Sequence, residues 1–420
     1  MNMKISKITF LLILTLPLNL FANGWQTFGL YRGTHHEYRE SLFNPNGLVI
    51  DQLGLTKTDY YFSQYLGLNA KLLSLDWQFD VLGTAAYDKN WDNNLRVKQL
   101  YFRKDFFQNW DLMVGRSILR WGTGYAFNPT DVVTAQKELS DPDNVEKRVP
   151  GNDLVKIEYF GENYSAAVVY LANLKFDNKL ALNDPRLAFR FYKNYCGLDL
   201  SLISLFNENE RPIWGGNFSY VIGDQLEIHG EITAQKGSYQ NYHQSIDEPN
   251  TLYTEDLLQQ LKKNDNRFFN QYLIGFNYTF PKNINWILEY FHQDQGYSKT
   301  EWKRVIDHVK FVSNYFETPF SELAKGNLLW GLNVFSSKGT MQDYLMNYVN
   351  LPVRNNLEFK STALINMHDR SMVMIPEIDF TLKNSFTFYG RCFIFEGKKT
   401  SEFGELFRSF SIEGGLRFVL

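Results

Sequence analysis

Apolar and polar residues alternate with a period of two along much of this chain. From Leu75 to Val81 the odd positions are apolar and the even positions are polar, and the same pattern continues towards position 87. Residues 410–420 alternate in the same way as far as the end of the chain. A period of two predicts β-strands that have one apolar and one polar face.

The alternating segments predict about eighteen strands, with sixteen as the alternative, in one uninterrupted unit. The first is expected at about 25–34, and the hairpin partner of 75–87 at about 60–72. Turns rich in Gly, Asn, Asp and Pro are expected at 74, 108–109, 161–163, 193–194, 223–224, 281–283 and 383–384. Long connections alternate with these turns, at 35–58, 120–152, 173–185, 237–267 and 296–326. Because short turns alternate with long connections, the sequence predicts an all-β fold: an antiparallel up-and-down transmembrane barrel with short periplasmic turns and long outer loops.

Three stretches have helical spacing inside this pattern. The stretch at 340–354 falls on the short-turn side, so either a short helix lies there or the strand count is wrong by two. The other two fall in long loops, where we expect helices that pack on one another at the barrel mouth, in preference to a partner-binding role. The first stretch is 340–354, with Met341, Tyr344, Leu345 and Tyr348; the others contain Leu252, Leu257, Leu258 and Leu261, and Trp302, Val305, Ile306, Val309 and Val312.

The composition agrees with an exported barrel. Aromatic residues make up 16% of the chain, while the mean hydropathy is negative, as alternating strands with aromatic girdles produce. A net charge of −3 gives no case for nucleic-acid binding. Residues 1–22 combine Lys4 and Lys7 with an apolar run and a small residue at Ala22, which predicts a signal peptide and leaves 23–420 as a single barrel domain. The alternative, a membrane anchor, is disfavoured because the apolar run is too short to span.

The two cysteines are too few for a disulfide scaffold. Cys196 alternates with Leu198 and Leu200, and Cys392 alternates with Phe388 and Ile394. Both are therefore expected to point to lipid on distant strands, as free thiols.

The end of the chain resembles the closing strand of bacterial outer-membrane β-barrels. The matching residues are Glu413, Gly415, Phe418 and Leu420. In that family the segment is the signal recognised by the barrel-assembly machinery, and the final residue is most often Phe, so Leu420 departs from the pattern. The resemblance implies an outer-membrane location.

A second resemblance lies in residues 115–133. Gly115-Arg116, Trp121-Gly122 and the run from Asn128 to Asp131 are similar to a Gly-Arg, Trp-Gly, Asn-Pro-x-Asp segment. This segment occurs in a family of proteobacterial outer-membrane barrels of poorly defined function. It supplies no catalytic residues to carry over.

The long loop after this strand can fold into the lumen and narrow it. Arg116 and Arg120 are then expected to share one face of the strand and present positive charge to passing anions. In the alternative, Trp121, Asn128 and Asp131 only brace the loop against the wall. Which face of the preceding strand meets lipid stays open, between Trp110, Leu112 and Val114 on one side and Met113, Gly115 and Leu119 on the other.

Glu227, His229 and Glu231 share one face of the predicted strand 225–236. Carboxylate, imidazole and carboxylate at this spacing could bind a metal, but a wet lumen wall explains the same pattern and is preferred. Interior charge is mixed, so no ion preference is predicted. The acidic members of this interior set include Asp76 and Asp80, and the basic members include Arg391 and Arg417.

The sequence favours a channel over an enzyme. It has no Gly-x-Ser-x-Gly elbow and no serine close to His229, so we expect no catalytic residues, cofactor or metal. A ring of sixteen to eighteen strands is too wide for wall side chains to fill. We therefore expect passive diffusion of small hydrophilic solutes through a lumen narrowed by inward-folded loops. The alternatives are a structural or surface-binding barrel with an occluded lumen and, after that, an outer-membrane hydrolase. Expected partners are outer-membrane lipid, lipopolysaccharide and the barrel-assembly machinery.

Overall fold

The alternating segments of the chain form one large β-sheet. The computed structural model describes residues 24–72, 75–87, 91–134, 151–172, 185–207, 212–238, 242–254, 260–261, 266–335, 339–382 and 385–419. The expected signal peptide and Leu420 lie outside these residues. The described strands form an 18-stranded sheet, which confirms the higher of the two expected strand counts.

Each strand pairs antiparallel with the next one along the chain, and the first strand also pairs with the last. The strands are β1 Gly24–Tyr38, β2 Thr58–Leu72, β3 Leu75–Tyr87, β4 Trp91–Phe106, β5 Trp110–Ser117, β6 Asn152–Phe160, β7 Tyr164–Leu171, β8 Arg186–Tyr195, β9 Leu198–Asn207, β10 Ile213–Ile222, β11 Leu226–Lys236, β12 Phe268–Phe280, β13 Ile284–Gln293, β14 Asp343–Arg354, β15 Leu357–Asn366, β16 Met372–Leu382, β17 Phe386–Glu396 and β18 Arg408–Val419. The seam between β1 and β18 runs from the Phe28–Val419 pair to the Tyr38–Arg408 pair. The barrel is therefore closed, and no sheet edge is left to satisfy its amides in lipid.

The last strand shows why this sequence closes the barrel. Ile412 is 48% exposed on the outward face, whereas Ser411 and Glu413 are buried on the inward face. At the seam the ring of Phe418 lies over Gly29, so close that a β-carbon at position 29 would stand 1.9 Å from the ring. The alternation predicted for 410–420 is confirmed for its described residues.

The connections on the side of the chain termini are short, as predicted, and the long connections all lie on the other side, which also has short ones after β3 and β15. On the side of the chain termini, the described turns are only two or three residues long, for example Phe107 to Asn109 and Pro281–Asn283. The expected turns at 74 and 383–384 lie outside the described residues. The turn expected at 193–194 was placed wrongly: β8 continues to Tyr195, and Cys196 and Gly197 make the turn with positive φ angles.

The two thiols occupy different surroundings. Cys196 is exposed in its turn, so the prediction that it faces lipid from a strand is wrong. Cys392 lies in β17 and pairs with the exposed Ile412 of β18, so its side chain is on the outward face of the barrel, as expected. Neither cysteine forms a disulfide, which confirms the two free thiols.

Neither alternative for 340–354, a short helix or a strand count wrong by two, is correct, because Asp343–Arg354 is one of the eighteen barrel strands. Its buried residues are Tyr344, Met346 and Tyr348, which repeat with a period of two. The segment therefore follows the strand period and not the helical spacing of Met341, Tyr344, Leu345 and Tyr348. The strand count did not need correction. The long loop that precedes this strand is longer than expected and reaches position 342.

Helices occur in the loops, and the chain contains α1 Leu48–Leu53, α2 Lys299–Ser313, α3 Ser321–Gly331 and α4 Glu402–Glu405. The helix expected around Trp302 is α2, and its five predicted apolar residues are buried. The helix expected around Leu252 is absent from the described residues there, where Gln260–Leu261 pairs with Tyr242–His243. Instead, α3 packs on α2. Within the described ranges, no helix is both long and apolar enough to cross a membrane.

The interior differs between its two ends. Towards the short turns it is lined by charged and polar side chains, such as Arg391, Glu413 and Asp80. Towards the long loops it is lined by buried apolar side chains. There, five loops and the inner wall share one buried apolar cluster, which we call the mouth cluster. Its loop members include Phe43, Phe127, Tyr242, Trp302 and Phe403, and its wall members include Ile287, Phe291, Met346, Leu364 and Ile375.

Candidate functional site

The long connection after β5 supplies the candidate site, in residues 118–134. β5 ends at Ser117, and the chain then passes along side chains of the inner wall. Gly122 and Gly124 permit this path, because a β-carbon at Gly124 would lie 2.0 Å from the carbonyl oxygen of Phe127. A β-carbon at Gly122 would lie 2.6 Å from the Asn128 side chain. The Trp-Gly and Asn-Pro-x-Asp parts of the motif thus contact each other.

Glu231 on β11 is the first anchor of the 118–134 segment. One carboxylate oxygen accepts the backbone N–H groups of Thr123 at 2.5 Å and Gly124 at 2.7 Å. The other accepts the backbone N–H of Thr130 at 2.8 Å and its hydroxyl at 2.7 Å. Glu231 is buried, while its neighbour Ile232 is 57% exposed on the outer surface. The carboxylate therefore points inward and binds both ends of the turn.

Glu289 on β13 is the second anchor. Its carboxylate accepts the backbone N–H of Tyr125 and, at 2.9 Å, that of Ala126. Its oxygen also lies 3.0 Å from Nε2 of His229. Four successive backbone N–H groups, at positions 123 to 126, thus point at two carboxylates. Oriented amides of this kind form an anion-binding concavity, which the protein fills with its own side chains.

Further polar contacts fix the two ends of the turn. The amide of Asn217 donates to the carbonyl oxygen of Trp121 and to the Thr130 hydroxyl, each at 2.7 Å. Asp131 accepts from Arg120 at 3.2 Å and from the Trp121 N–H at 3.3 Å. Burial raises the pKa of Asp131 to about 6, although the Arg120 guanidinium opposes that shift.

The apolar side of the 118–134 segment packs on the wall. Trp121 and Val133 are buried against inward residues of β5 to β9, such as Met113 and Leu154. Phe127 stacks on Phe291 of β13 with ring centroids 4.2 Å apart. These contacts match the bracing role that was the alternative for Trp121.

The arginines differ from the expectation. Arg120 lies beyond the end of β5, so Arg116 and Arg120 do not share a face of the strand. Arg116 forms a two-pronged ion pair with Asp153 of β6, both contacts being 2.9 Å. Arg120 is paired with Asp131. Neither guanidinium stands as an uncompensated charge, because each has a carboxylate partner. The open question about β5 is also settled, since Trp110 is exposed and Met113 is buried.

The remaining predicted residues fall into separate places. Glu227 shares the inward face with His229 and Glu231, as expected, but within the described residues its side chain bonds only the Ser219 hydroxyl, at 2.7 Å. Glu413 accepts from Arg32, Tyr389 and Arg391 inside the barrel. A β-carbon at Gly415 would lie 2.4 Å from the carbonyl oxygen of Tyr31. No group of three or more His, Cys, Asp or Glu in the described ranges is arranged to hold a metal ion.

A second polar network lines β15 to β18 nearer the short turns. Arg417 bonds Glu377 at 2.9 Å and Asp379 at 3.0 Å. Lys360 also bonds Asp379 at 2.9 Å, and Arg391 bonds Glu413. Acidic and basic groups alternate across these strands, so the charges compensate one another.

Sequence reasoning missed Glu289, Asn217, Thr123 and Thr130. Glu289 lies between Ile287 and Phe291 on the inward face of β13. Because both of these neighbours are apolar, the face looked apolar in the sequence and Glu289 was not recognised as a site residue. A single carboxylate at an inward apolar position was the one available signal.

No protein-family model matches the chain, and no curated protein matches it in sequence. Among solved structures, OccAB1 of Acinetobacter baumannii is 9% identical, covers 96% of this chain and 98% of its own, and has a TM-score of 0.58. OccK5 (OpdH) of Pseudomonas aeruginosa is 10% identical, with coverages of 95% and 99% and a TM-score of 0.54.

A third solved structure is Wzi of Escherichia coli, an outer-membrane protein involved in group 1 capsule assembly and described as a carbohydrate-binding β-barrel. It is 10% identical, with coverages of 98% and 87% and a TM-score of 0.52. At these identities the likeness concerns the fold alone. The chain has the closed-barrel fold of Gram-negative outer-membrane proteins.

Proposed function

We propose that this protein is an outer-membrane channel for passive diffusion of small hydrophilic solutes, narrowed by the 118–134 segment. One observation carries the proposal: buried carboxylates on two different strands hold this segment against the inner wall. Glu231 and Glu289 accept at least seven hydrogen bonds from positions 123 to 130 of it. A segment fixed in this way reduces the cross-section of the lumen, which is how pores select solutes by size.

The lining of the lumen supports the same proposal. Between the 118–134 segment and the short turns, the inner wall carries paired charges and amides, including Asp80 with Gln78 and Gln99. Polar groups exposed to a lumen replace part of a solute's hydration shell. An interior that was apolar along its whole length would serve a structural barrel better. Because the charges are largely compensated, we propose selection by size and polarity rather than by a strong ion preference.

A second candidate is a barrel with an occluded lumen whose loops bind a surface partner. The mouth cluster favours it, because five loops contribute buried apolar residues to a single plug-like core. The fold likeness to a carbohydrate-binding barrel makes a glycan the partner class to test. In this case the polar lumen is open only towards the short turns.

Solute entry into liposomes separates the two candidates. Purified protein is reconstituted into vesicles, and swelling is followed with neutral sugars of increasing size. The channel predicts swelling for the smallest sugars and a sharp size limit, which the double variant Glu231→Ala, Glu289→Ala raises. Folded protein that supports no swelling with any sugar, before and after the double substitution, would overturn the channel and favour the occluded barrel.

A further inference from the structure

Two histidines lie packed together among the loops at the mouth. His243 follows Tyr242 at the start of the 242–254 segment, and His308 lies in the middle of α2. Their side chains are almost fully buried, at 4% and 1% exposure. The ring centroids are 5.1 Å apart. Neither residue belongs to the 118–134 segment or to its anchors.

Hydrogen bonds fix where each ring carries its proton. Nδ1 of His243 accepts the backbone N–H of Ser245 at 3.1 Å and so caps the short helix Gln244–Ile246. A nitrogen that accepts carries no proton, so neutral His243 is protonated on Nε2. Nδ1 of His308 lies 3.0 Å from the carbonyl oxygen of Pro249, which can only accept, so His308 is protonated on Nδ1.

Apart from the Ser245 hydroxyl, which lies 2.6 Å from Nδ1 of His243, no described group is placed to accept a second proton from either ring. Nε2 of each ring has no hydrogen-bond partner among the described residues. His243 packs on Trp330 of α3 with centroids 3.7 Å apart, and His308 packs on Tyr253 at 5.5 Å.

The polar groups that face the pair come from each packed element. Tyr253 comes from the 242–254 segment, and Arg304 from α2, where it donates to the carbonyl oxygen of Ile246. Tyr297, before α2, accepts the backbone N–H of His243 through its hydroxyl oxygen. From α3, Asn327 bonds the backbone of Tyr253. In the part of the chain that the structure describes, neither ring has an ion-paired carboxylate.

We propose that His243 and His308 form an acid-sensitive latch, whose protonation releases the 242–254 segment, α2 and α3 from the barrel mouth. A proton added to His243 must go to Nδ1, where it displaces the Ser245 N–H and removes the helix cap. A proton added to His308 goes to Nε2, in apolar surroundings. Two charged rings at this distance would also repel each other.

The direction of the pH effect follows from burial. Burial lowers the pKa of His243 to about 2, and it lowers the pKa of His308 as well. A histidine whose pKa is lower in the packed state stabilises that state fully above its ordinary pKa, and the stabilisation is lost as the pH falls below it. At pH 5.5, a histidine that regains a pKa of 6.5 on release favours release roughly tenfold, and two favour it roughly a hundredfold.

The test uses the full chain in detergent or vesicles, titrated from about pH 8 to about pH 4.5. Fluorescence of Trp330, isolated as the difference from a W330F partner in each background, reports the stacking on His243. The variants are H243N, H308N and the double substitution. Asn at 243 keeps a capping oxygen for Ser245, and Asn at 308 keeps a donor for Pro249. H35N is the matched control, because His35 is about half exposed in β1.

The wild type and H35N are expected to show a reversible transition below about pH 6, with lower hydrogen-exchange protection in 299–313 after correction for the intrinsic pH dependence of amide exchange. Each single variant shifts the transition to lower pH, and the double variant shows none in this range. A wild type that does not change down to about pH 4.5, or a double variant that changes at the same pH as the wild type, overturns the latch. The measurement requires no conduction, so it can fail or succeed independently of the proposed channel.

Discussion

Replacing Glu231 by Gln tests the anchoring of the 118–134 segment with a change of one atom. The carboxylate accepts on both oxygens: Thr123 and Gly124 on one side, and Thr130 on the other. A glutamine can accept on only one side, because its amide nitrogen is a donor. At least one buried backbone N–H therefore loses its acceptor and faces another donor.

The cost follows from these contacts. An orphaned buried donor costs about 1–3 kcal/mol, and the bonds that remain weaken because their acceptor is no longer charged. We expect Glu231→Gln to destabilise the packed segment by about 3 kcal/mol in total. Every 1.4 kcal/mol is about a factor of ten, so opening of the segment becomes roughly a hundredfold more frequent.

Hydrogen exchange measures this opening at the amides concerned. The exchange rates of Thr123, Gly124 and Thr130 are compared in the wild type and in Glu231→Gln. Glu227→Gln is the matched control, since Glu227 is on the same face of β11 and its side chain bonds the Ser219 hydroxyl, not the 118–134 segment as the structure describes it. We expect roughly hundredfold faster exchange in Glu231→Gln and less than about threefold change in Glu227→Gln. Equal rates in both variants would refute the reasoning, because the carboxylate would then not be what holds the segment.

Three further predictions concern other parts of the barrel. Arg391→Ala leaves buried Glu413 with Arg32 as its remaining cation and should lower the free energy of unfolding by about 2–3 kcal/mol, the cost of a lost hydrogen bond to a charged group. Lys325→Ala breaks an exposed pair with Glu322 and should change the free energy of unfolding by less than about 0.5 kcal/mol. The temperature at which each variant loses its heat-modifiable migration compares the two, and equal shifts would contradict this. Burial raises the pKa of Glu402 to about 7, so the stability that protonated Glu402 contributes is complete below about pH 4.5 and is lost as the pH rises through 7. Hydrogen-exchange protection in 397–407, corrected for the intrinsic pH dependence of amide exchange, should fall from about pH 5 to about pH 8 in the wild type and stay level in Glu402→Gln. Parallel profiles would refute this. A charged maleimide should label Cys196 much faster than Cys392 in intact vesicles that expose the short turns, and equal rates would contradict the placement of Cys196 in a turn.

The strands were predictable because alternation is a local signal. Glu227, His229 and Glu231 face inward in the structure as the pattern of β11 indicates, since lipid outside and polar groups inside impose a period of two. The helix at 299–313 was predictable for the same kind of reason, with Ser298 and Glu301 forming a capping box ahead of an apolar stripe.

Alternation failed where both faces of a strand are apolar. In β13, Ile287 and Phe291 face the mouth cluster while Leu288 faces outward, so the period of two does not distinguish a dry interior from lipid. In β14, Tyr344 and Tyr348 are four residues apart, which fits both the strand period of two and the spacing of a helix. This is why a helix was one of the alternatives for that segment. Composition on one strand does not reveal which loops will cover it.

The site itself depends on contacts between distant parts of the chain. Glu289 and Ala126 are 163 positions apart, and Glu231 and Thr130 are 101 apart. Backbone N–H groups are the donors, and they leave no mark in the residue types. The motif indicated which loop is unusual, but only the fold shows what the loop binds.

Single-channel recording in a planar bilayer tests the central claim, that the 118–134 segment narrows an open lumen. We predict steady open steps from the wild type and larger or noisier steps from the Glu231→Ala, Glu289→Ala double variant, with Glu227→Gln resembling the wild type in step size. Folded protein that inserts but stays silent in all three forms would contradict the account.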